Sequence, residues 1–283
     1  MILALLIFLG CVLGFTLLTY AIYLYERGKQ PGWEPRFYQI SSGALRGYLV
    51  ESLCTAVLLL LWFCDFVWSV VRWLPWPGRE GRTSLRSGDR PVILCHGYHV
   101  RGLTLGVLAL SLRRMGRSKV TMPTFGPSTA AIRHYAEQLT EHIREVLRDT
   151  GAEAVDIVGH SMGGLVARAC VAQAQRSGDS SLRVAHLITL GTPHKGVDMW
   201  VFTWGDCGLD LKTGSPFLRW LGEDPRDVKA TVIYSPFDAM VLEESASGWN
   251  APRVRKVHLD GAGHIALSML PRAAREVFEA MRS

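Results

Sequence analysis

The segment Val158-Gly-His-Ser-Met-Gly-Gly164 constrains the fold of this chain more than any other part of its sequence. An apolar, β-branched run at 154–158 leads into it, and a helical pattern at 163–175 follows it. A serine with glycines two positions before and two positions after it, between a strand and a helix, is typical of a nucleophile elbow. Larger side chains at those glycine positions would collide with the neighbouring strand or helix. The sequence therefore predicts a tight turn that exposes the Ser161 hydroxyl above a sheet.

Short apolar runs alternate with helical patterns around this turn, which predicts a parallel sheet with helices on both faces. A segment at 77–88 is rich in Gly, Arg, Ser and Pro, as linkers are. We predict a hydrophobic anchor region at 1–76, this linker, and an α/β domain at 89–283 with a cap at about 195–227. The predicted strands are 91–95, 154–158, 184–190, 230–234 and 254–259, and the predicted helices are 103–115, 129–148, 163–175 and 271–281.

Residues 2–25 form an apolar run without a charged side chain. As a helix, this run is long enough to cross the roughly 30 Å hydrocarbon core of a bilayer. A cleavable signal peptide is the alternative, but its apolar part is shorter, and here no basic residue precedes the run and no small-residue cleavage site follows it. We predict a transmembrane anchor.

A second apolar stretch, at 49–76, contains Glu51 and Asp65 as its only acidic residues. A carboxylate in the middle of a membrane costs on the order of 3 kcal/mol. The stretch therefore fits a second span, a re-entrant segment, an interfacial helix or a helix docked on the globular domain. Basic residues follow both apolar stretches, so the orientation in a membrane stays open.

The composition excludes several other classes of protein. Apolar residues make up 48% of the chain and charged residues 20%, which is too apolar for a disordered chain. The net charge of +6 is spread along the sequence without a Lys/Arg-rich run, so we expect no nucleic-acid partner. The six cysteines show no CxxC or metal-ligand spacing, and we predict neither a metal nor another cofactor.

A nucleophilic serine needs a histidine that accepts its proton and a carboxylate that orients this histidine, and in this kind of fold they follow in the order Ser, acid, His. His264 lies in a glycine-rich turn directly after the last predicted strand, whereas His258 lies within that strand. Asp238 follows the predicted strand 230–234, and we prefer it to the other candidate acids because of this position. Those candidates are Asp206, Asp210, Asp224, Asp227 and Asp260.

The loop Leu94-Cys-His-Gly-Tyr98 follows the first predicted strand. A tetrahedral oxyanion needs two backbone N–H donors, one from the residue after the nucleophile and one from such a loop. We therefore predict Met162 and Tyr98 as the donors. Gly97 lets the loop turn its amides inward, and we expect His96 to brace the loop by a hydrogen bond.

His96-Gly97-Tyr98, Gly159-His-Ser-Met-Gly-Gly-Leu165 and Gly191-Thr-Pro-His-Lys-Gly196 together resemble the bacterial triacylglycerol lipase and esterase branch of the α/β-hydrolase superfamily. The resemblance covers about residues 89–283. It implies an α/β-hydrolase fold, here preceded by one or two membrane helices, and ester hydrolysis through an acyl-enzyme on Ser161, Asp238 and His264.

The resemblance also implies that Thr192 and His194 lie near the pocket without a chemical role. The chain departs from the family in two respects. Some secreted relatives carry a calcium site and a disulfide, for which we find no candidate residues here, and the signal peptide is replaced by the apparent anchor. We therefore expect a membrane-bound protein, in the inner membrane of a bacterial cell.

The predicted cap is rich in aromatic residues, including Trp200 and Trp204. As a lid it would border an acyl pocket and meet the bilayer, although aromatic residues also form ordinary cores. A tethered serine hydrolase with an apolar cap indicates acyl esters of lipids as substrates. The same residues would serve a thioesterase or an acyltransferase. A membrane scaffold with an inactive hydrolase domain is disfavoured, because no member of the predicted triad is missing.

Overall fold

The computed structural model describes residues 2–28, 42–71, 90–198, 204–222 and 229–282. The linker at 77–88 and Trp200 lie outside these residues. In the described part of the chain, six parallel strands form one sheet in the order β2-β1-β3-β4-β5-β6. The strands are β1 (Val92–Cys95), β2 (Val120–Thr121), β3 (Val155–His160), β4 (Val184–Leu190), β5 (Ala230–Tyr234) and β6 (Val254–His258).

All five predicted strands are present, and the prediction of a parallel sheet is confirmed. Strand β2 was not predicted, because it contains only Val120 and Thr121 before the Met122-Pro123 pair. A run of two residues shows no periodicity, so only its pairing with β1 identifies it as a strand. This short strand closes one edge of the sheet.

Helices cover both faces of the sheet. The α-helices are α1 (Ile2–Gly28), α2 (Ser42–Val71), α3 (Gly106–Arg114), α4 (Ile132–Thr150), α5 (Met162–Ser177), α6 (Gly205–Leu211), α7 (Pro216–Gly222), α8 (Glu243–Ala246) and α9 (Pro271–Arg282). In the ranges that the structure describes, two short 3-10 helices lie at Gly102–Leu105 and Ala266–Ser268. The predicted helix at 103–115 is therefore divided between a 3-10 turn and α3, and the predicted cap contains α6 and α7.

Alternate residues of β1 show how the two cores are separated. Ile93 and Cys95 pack with α4 and α5, whereas Val92 and Leu94 pack with α3 and α9 on the other face. This division follows from the period of two along a strand, since successive side chains point to opposite faces. The central strands β1 and β3 are buried on both faces, and the carboxyl ends of the strands are left to carry the functional loops.

Helices α1 and α2 pack against each other, and α2 packs against the 3-10 helices of the α/β domain. The Tyr20 hydroxyl of α1 donates a hydrogen bond to the Phe237 carbonyl of the domain, at 3.4 Å. The Tyr48 hydroxyl of α2 donates a hydrogen bond to the Leu13 carbonyl of α1, at 2.9 Å. The side chains that face the domain recur at helical spacing, as in Glu51, Cys54 and Thr55 of α2, which are all buried. The outward faces carry exposed apolar side chains: Leu13, Leu17, Leu18 and Leu24 on α1, and Leu45, Leu49, Leu53, Leu60, Trp62 and Phe63 on α2.

Among the described residues, one helical segment, Leu45–Cys64 of α2, is long and apolar enough to cross a membrane. In α1 the corresponding described segment, Gly10–Ala21, is shorter. The structure adds that α2 is docked on the α/β domain along one side, which was one of the four alternatives for the 49–76 stretch. We refer to α1 and α2 together as the N-terminal hairpin.

Candidate active site

Ser161 lies at the junction of β3 and α5 in a strained backbone conformation. Its φ of 55° and ψ of −129° are unusual for a residue other than glycine. Two hydrogen bonds hold this conformation: Ser161 N–H donates to the Leu190 carbonyl at 2.9 Å, and the Thr192 hydroxyl donates to the Ser161 carbonyl at 2.9 Å. The turn thus has the geometry of a nucleophile elbow.

The glycines on both sides of Ser161 are required by close backbone contacts. A Cβ atom added to Gly159 would lie 2.4 Å from the backbone N and Cα of Gly164, at the start of α5. A Cβ atom added to Gly163 would lie 2.2 Å from the Cys95 carbonyl oxygen at the end of β1. Both distances are far below van der Waals contact, so any larger residue would push α5 away from the sheet and displace the turn.

Asp238 and His264 form a buried, hydrogen-bonded pair. His264 Nδ1–H donates to Asp238 Oδ2 at 2.7 Å. The other oxygen of this carboxylate accepts hydrogen bonds from Met240 N–H at 2.9 Å and from Val241 N–H at 2.8 Å. With its proton on Nδ1, the imidazole leaves Nε2 as its acceptor. The carboxylate is fixed by three donors, so it determines both the tautomer and the ring orientation of His264.

The environment of His264 changes its basicity in two opposing ways. Burial of the imidazole lowers its pKa, but the charge of Asp238 and the hydrogen bond to it raise the pKa, with a further rise from Glu51, and the result is a pKa above the ordinary value. His160 lies beside it, with 4.9 Å between the ring centroids, and donates a hydrogen bond from Nε2–H to the His264 carbonyl at 2.9 Å. Burial, together with repulsion from His264, lowers the pKa of His160 to about 3, so this second imidazole is neutral.

The predicted oxyanion donors flank Ser161. Met162 is the first residue of α5, where a backbone N–H has no partner within the helix. Tyr98 follows Gly97 in the β1 loop, and a Cβ atom on Gly97 would lie 3.1 Å from the Ser161 Cβ. This contact shows how closely the loop approaches the serine. His96 accepts a hydrogen bond from Phe125 N–H on Nε2, at 3.0 Å, and faces the Gly97 carbonyl with Nδ1, at 2.9 Å.

The segment Gly191-Thr-Pro-His194 contacts both Ser161 and Asp238. Gly191 has a φ of 53°, and a Cβ atom there would lie 2.8 Å from Asp238 Oδ2. Thr192 braces Ser161 as described above. His194 is buried between Arg168 Nη1, 3.2 Å from its Nδ1, and Thr189 Oγ1, 3.1 Å from its Nε2. Burial lowers the pKa of His194 well below its ordinary value, and the nearby Arg168 lowers it further.

A cavity of about 490 Å³ joins Ser161 to the N-terminal hairpin. Ser161, His160 and His264 line it together with Gly97 and Tyr98. The rest of the lining is mostly apolar and comes from three places: Cys11, Val12, Phe15 and Thr19 of α1, Thr55, Leu58 and Leu59 of α2, and Val100, Pro193, Val197, Leu211, Met240, Val241 and Ile265 of the α/β domain.

The cap contributes less to this cavity than its aromatic sequence suggests. Val197 and Leu211 line the cavity, but Trp204 does not, and 65% of its surface is exposed. Trp204 stacks on His99 with 4.9 Å between the ring centroids. The Tyr98 hydroxyl bridges its backbone, donating to the Trp204 carbonyl at 2.7 Å and accepting from Trp204 N–H at 2.6 Å. These contacts tie the cap to the β1 loop.

Of the site residues predicted from sequence, the structure brings Ser161, His264, Gly97 and Tyr98 to one cavity, with Asp238 behind His264. It does not bring His96, Thr192, His194 or Trp204 to the cavity wall. Sequence reasoning missed two neighbours of His264, namely His160 and Glu51. The signal for Glu51 was a carboxylate within an apolar helix, which requires a polar partner. Within the described ranges, no three His, Cys, Asp or Glu side chains come together as a metal site.

The parallel sheet and the strained serine between β3 and α5 define the α/β-hydrolase class. Solved structures agree on the fold. Aspergillus fumigatus lipase B superposes with a TM-score of 0.58 and 19% identity over 70% of this chain and 53% of that one. Bacillus licheniformis lipase BlEst2 superposes with a TM-score of 0.57 and 16% identity over 70% and 93%. A Listeria innocua protein gives a TM-score of 0.56 and 15% identity over 69% and 94%.

The sequence itself matches the palmitoyl protein thioesterase family over residues 91–248, which is more than half of the chain, and the protein belongs to that family. It is also similar to the triacylglycerol lipases of Pseudarthrobacter phenanthrenivorans and Burkholderia plantarii, with 43% identity over 60 residues in each case. These 60 residues are 21% of this chain and only 17% and 15% of the two lipases.

Proposed function

We propose that the protein is a serine hydrolase that cleaves acyl esters of lipids. The observation that carries this proposal is the cavity that Ser161 and His264 line together, with His264 held by Asp238 and with mostly apolar walls. The resemblance to lipases and the lipase and thioesterase relatives support the same reaction class. A fold alone does not determine an activity, so the argument depends on these side chains.

In the proposed reaction, Ser161 Oγ attacks the carbonyl carbon of the ester while His264 Nε2 accepts the hydroxyl proton. The negative charge moves to the carbonyl oxygen, where the N–H groups of Tyr98 and Met162 stabilise it. His264 then gives its proton to the leaving alcohol, and the acyl group stays on Ser161. Water repeats the sequence: His264 takes one of its protons, the hydroxyl attacks the acyl carbon, and the proton returns to Ser161. Asp238 holds the imidazole and stabilises its charged form throughout.

The acyl chain of the substrate occupies the cavity beneath the N-terminal hairpin in this proposal. A volume of about 490 Å³ is in the usual range for a ligand site, roughly 300 to 1,000 Å³. The outward faces of α1 and α2 expose apolar side chains such as Leu17 and Leu53, which are 62% and 67% exposed. Several large exposed apolar side chains on neighbouring helices are typical of a membrane contact. We therefore also propose that the hairpin binds the protein to a membrane, next to its lipid substrate.

Thioester cleavage is the second candidate, and the family match favours it. The same groups serve both reactions, because an ester and a thioester differ in the leaving atom and not in the attacked carbonyl. A thiol leaves more readily than an alcohol and depends less on a proton from His264. Transfer of the acyl group to an alcohol or thiol instead of water uses the same acyl-enzyme, and it is an outcome that the product analysis detects.

The first experiment compares the full-length wild type, Ser161→Ala and Ser177→Ala in detergent micelles. Ser177 is a matched control, because it is exposed at the other end of α5 and, among the described residues, its hydroxyl donates a hydrogen bond only to the Ala174 carbonyl. Each protein is treated with a fluorophosphonate probe and assayed on p-nitrophenyl esters of two to sixteen carbons and on a palmitoyl thioester. We expect labelling and turnover in the wild type and in Ser177→Ala, and neither in Ser161→Ala.

The comparison of substrates separates the two candidates. A higher kcat/KM for long-chain than for short-chain esters supports the lipase hypothesis. A higher kcat/KM for the palmitoyl thioester than for the ester of equal chain length supports the thioesterase hypothesis. A folded wild type that neither binds the probe nor turns over any substrate would refute the hydrolase proposal. Acyl products formed with added alcohol or thiol, at the expense of the free acid, would identify an acyltransferase.

A further inference from the structure

The loop that carries His264 is attached to α2 by a buried carboxylate. Glu51 Oε1 accepts a hydrogen bond from Ile265 N–H at 2.8 Å, and Glu51 Oε2 accepts one from Ala266 N–H at 2.9 Å. These two amides belong to the residues that directly follow His264. Only 5% of the Glu51 surface is exposed, and these contacts connect positions that are more than 200 residues apart in sequence.

The residues around Glu51 leave space for its carboxylate. Cys54 of α2 packs with Ile265, Ala266 and Met269 in a small apolar cluster. A Cβ atom on Gly263 would lie 2.3 Å from Glu51 Oε2 and 2.4 Å from its Cδ, so only a glycine lets the carboxylate approach the loop. Glu51 thus fits between Gly263 and the first N–H groups of the 3-10 helix at Ala266–Ser268.

Four hydrogen bonds connect the histidine and the two residues after it to other segments of the chain. Asp238 binds the side chain, His160 binds the His264 carbonyl, and Glu51 binds the next two amides. The first two come from the α/β domain, and the Glu51 pair comes from the N-terminal hairpin. Such hydrogen bonds are stronger in a dry environment than in water. Without Glu51, two buried N–H groups would lose their acceptor.

We propose that Glu51 is a positioning residue for His264, and that the N-terminal hairpin therefore contributes one side chain, Glu51, to the support of the catalytic site in addition to any role as an anchor. This inference rests on the proposed function, since it assigns His264 as the proton acceptor. Proton transfer requires a heavy-atom distance of about 2.6 to 3.2 Å between base and nucleophile. A shift of the loop by about 1 Å is enough to lower the rate of the chemical step by about 100-fold.

The test measures kcat and KM for Glu51→Ala, Glu51→Gln and Cys54→Ala in the full-length protein in detergent, on one ester of medium chain length. We expect Glu51→Ala to lower kcat by about 100-fold with KM changed less than about threefold, because the substrate still binds but the base is misplaced. Glu51→Gln keeps one acceptor oxygen, so its kcat should lie between those of Glu51→Ala and the wild type. The rate of fluorophosphonate labelling of Ser161 should fall in the same order.

Cys54→Ala is the matched control. It removes packing from the same contact between α2 and the 3-10 helix but no hydrogen bond, and it leaves the cavity lining intact. We expect its kcat to stay within about twofold of the wild type even where its unfolding midpoint falls. Equal losses of kcat in Cys54→Ala and Glu51→Ala would overturn the inference in favour of a purely structural role. A Glu51→Ala variant with wild-type kcat would overturn it as well.

A double-mutant cycle of Gly263→Ala and Glu51→Ala tests whether both substitutions act through the same contact. In the wild type the added Cβ displaces the Glu51 carboxylate, and we expect a loss of kcat similar to that of Glu51→Ala. In the Glu51→Ala background the same Cβ meets no carboxylate, so Gly263→Ala should cause little further loss. Additive losses would show that Gly263 acts independently of Glu51 and would contradict the proposal. An inactive wild type would instead refute the proposed function, so the two failures are distinguishable.

Discussion

The substitution Val12→Phe tests whether α1 forms a wall of the acyl site. Val12 lies on α1, is 3% exposed and lines the cavity that contains Ser161. In an apolar site each methylene of the substrate contributes up to about 0.8 kcal/mol, which is roughly fourfold in kcat/KM. From a four-carbon to an eight-carbon ester, kcat/KM of the wild type should therefore rise by up to about 200-fold, and it should level off once the chain fills the cavity.

The phenylalanine side chain contains roughly four more carbon atoms than valine, and in a closely packed interior it displaces a similar length of the acyl chain. We expect the plateau of Val12→Phe to begin at a shorter chain. The largest loss on long esters, relative to the wild type, should be about 3 kcal/mol, or roughly 200-fold, with short esters unaffected. The assay is kcat/KM for p-nitrophenyl esters of four to sixteen carbons at constant detergent concentration.

Leu13→Phe is the matched control, because Leu13 is the next residue on the same helix and is 43% exposed on the outward face. Its chain-length profile should match that of the wild type. If both variants change the profile equally, the effect comes from α1 as a whole and not from the cavity wall. If Val12→Phe leaves the profile unchanged, the acyl chain lies elsewhere and the reasoning is refuted.

Two other substitutions test the site. Asp238→Asn removes the charge that raises the His264 pKa, and it favours the wrong tautomer of the imidazole. We expect kcat to fall by about 10⁴-fold and the acid limb of the kcat/KM profile to move to lower pH. Stopped assays from pH 4 to 9 check both results. Gly163→Ala places a Cβ atom 2.2 Å from the Cys95 carbonyl oxygen, and we expect it to lower the free energy of unfolding by about 3 kcal/mol or more. Gly106→Ala is the control, because its nearest contact is at 3.6 Å and it should cause no such loss. Denaturant unfolding measures the difference.

Local sequence patterns predicted the sheet and the nucleophile turn because the physical causes of both are local. A strand such as β3 is recognised by its apolar β-branched residues, and the turn at Ser161 by glycines that the close contact of β3 with α5 requires. His264 and Asp238 followed from the order of the chain in this kind of fold. Their hydrogen bond is long-range, but the topology brings the ends of β5 and β6 to one edge.

The walls of the cavity could not be predicted in this way. The aromatic residues of the cap suggested that the cap forms the acyl pocket, but hydrophobicity does not specify which surface an apolar side chain covers. Trp204 is instead exposed, and Val12 and Leu58 of the N-terminal hairpin line the cavity. The docking of α2 depends on contacts across more than 200 residues, such as that of Glu51 with Ile265, and no periodicity within either segment encodes them.

The hydrogen bonds of Glu51 also explain how α2 accommodates a carboxylate within an apolar stretch. An ionised carboxylate in hydrocarbon costs on the order of 3 kcal/mol, which argues against the helix as a simple span. Two amides of the His264 loop replace the water that the carboxylate would lose. This requirement fixes the rotation of α2: Glu51 must face the α/β domain, and Leu49, Leu53 and Leu60 then face outward. In the proposed enzyme, one helix thus supports the His264 loop with Glu51 on its inner side and exposes apolar side chains on its outer side.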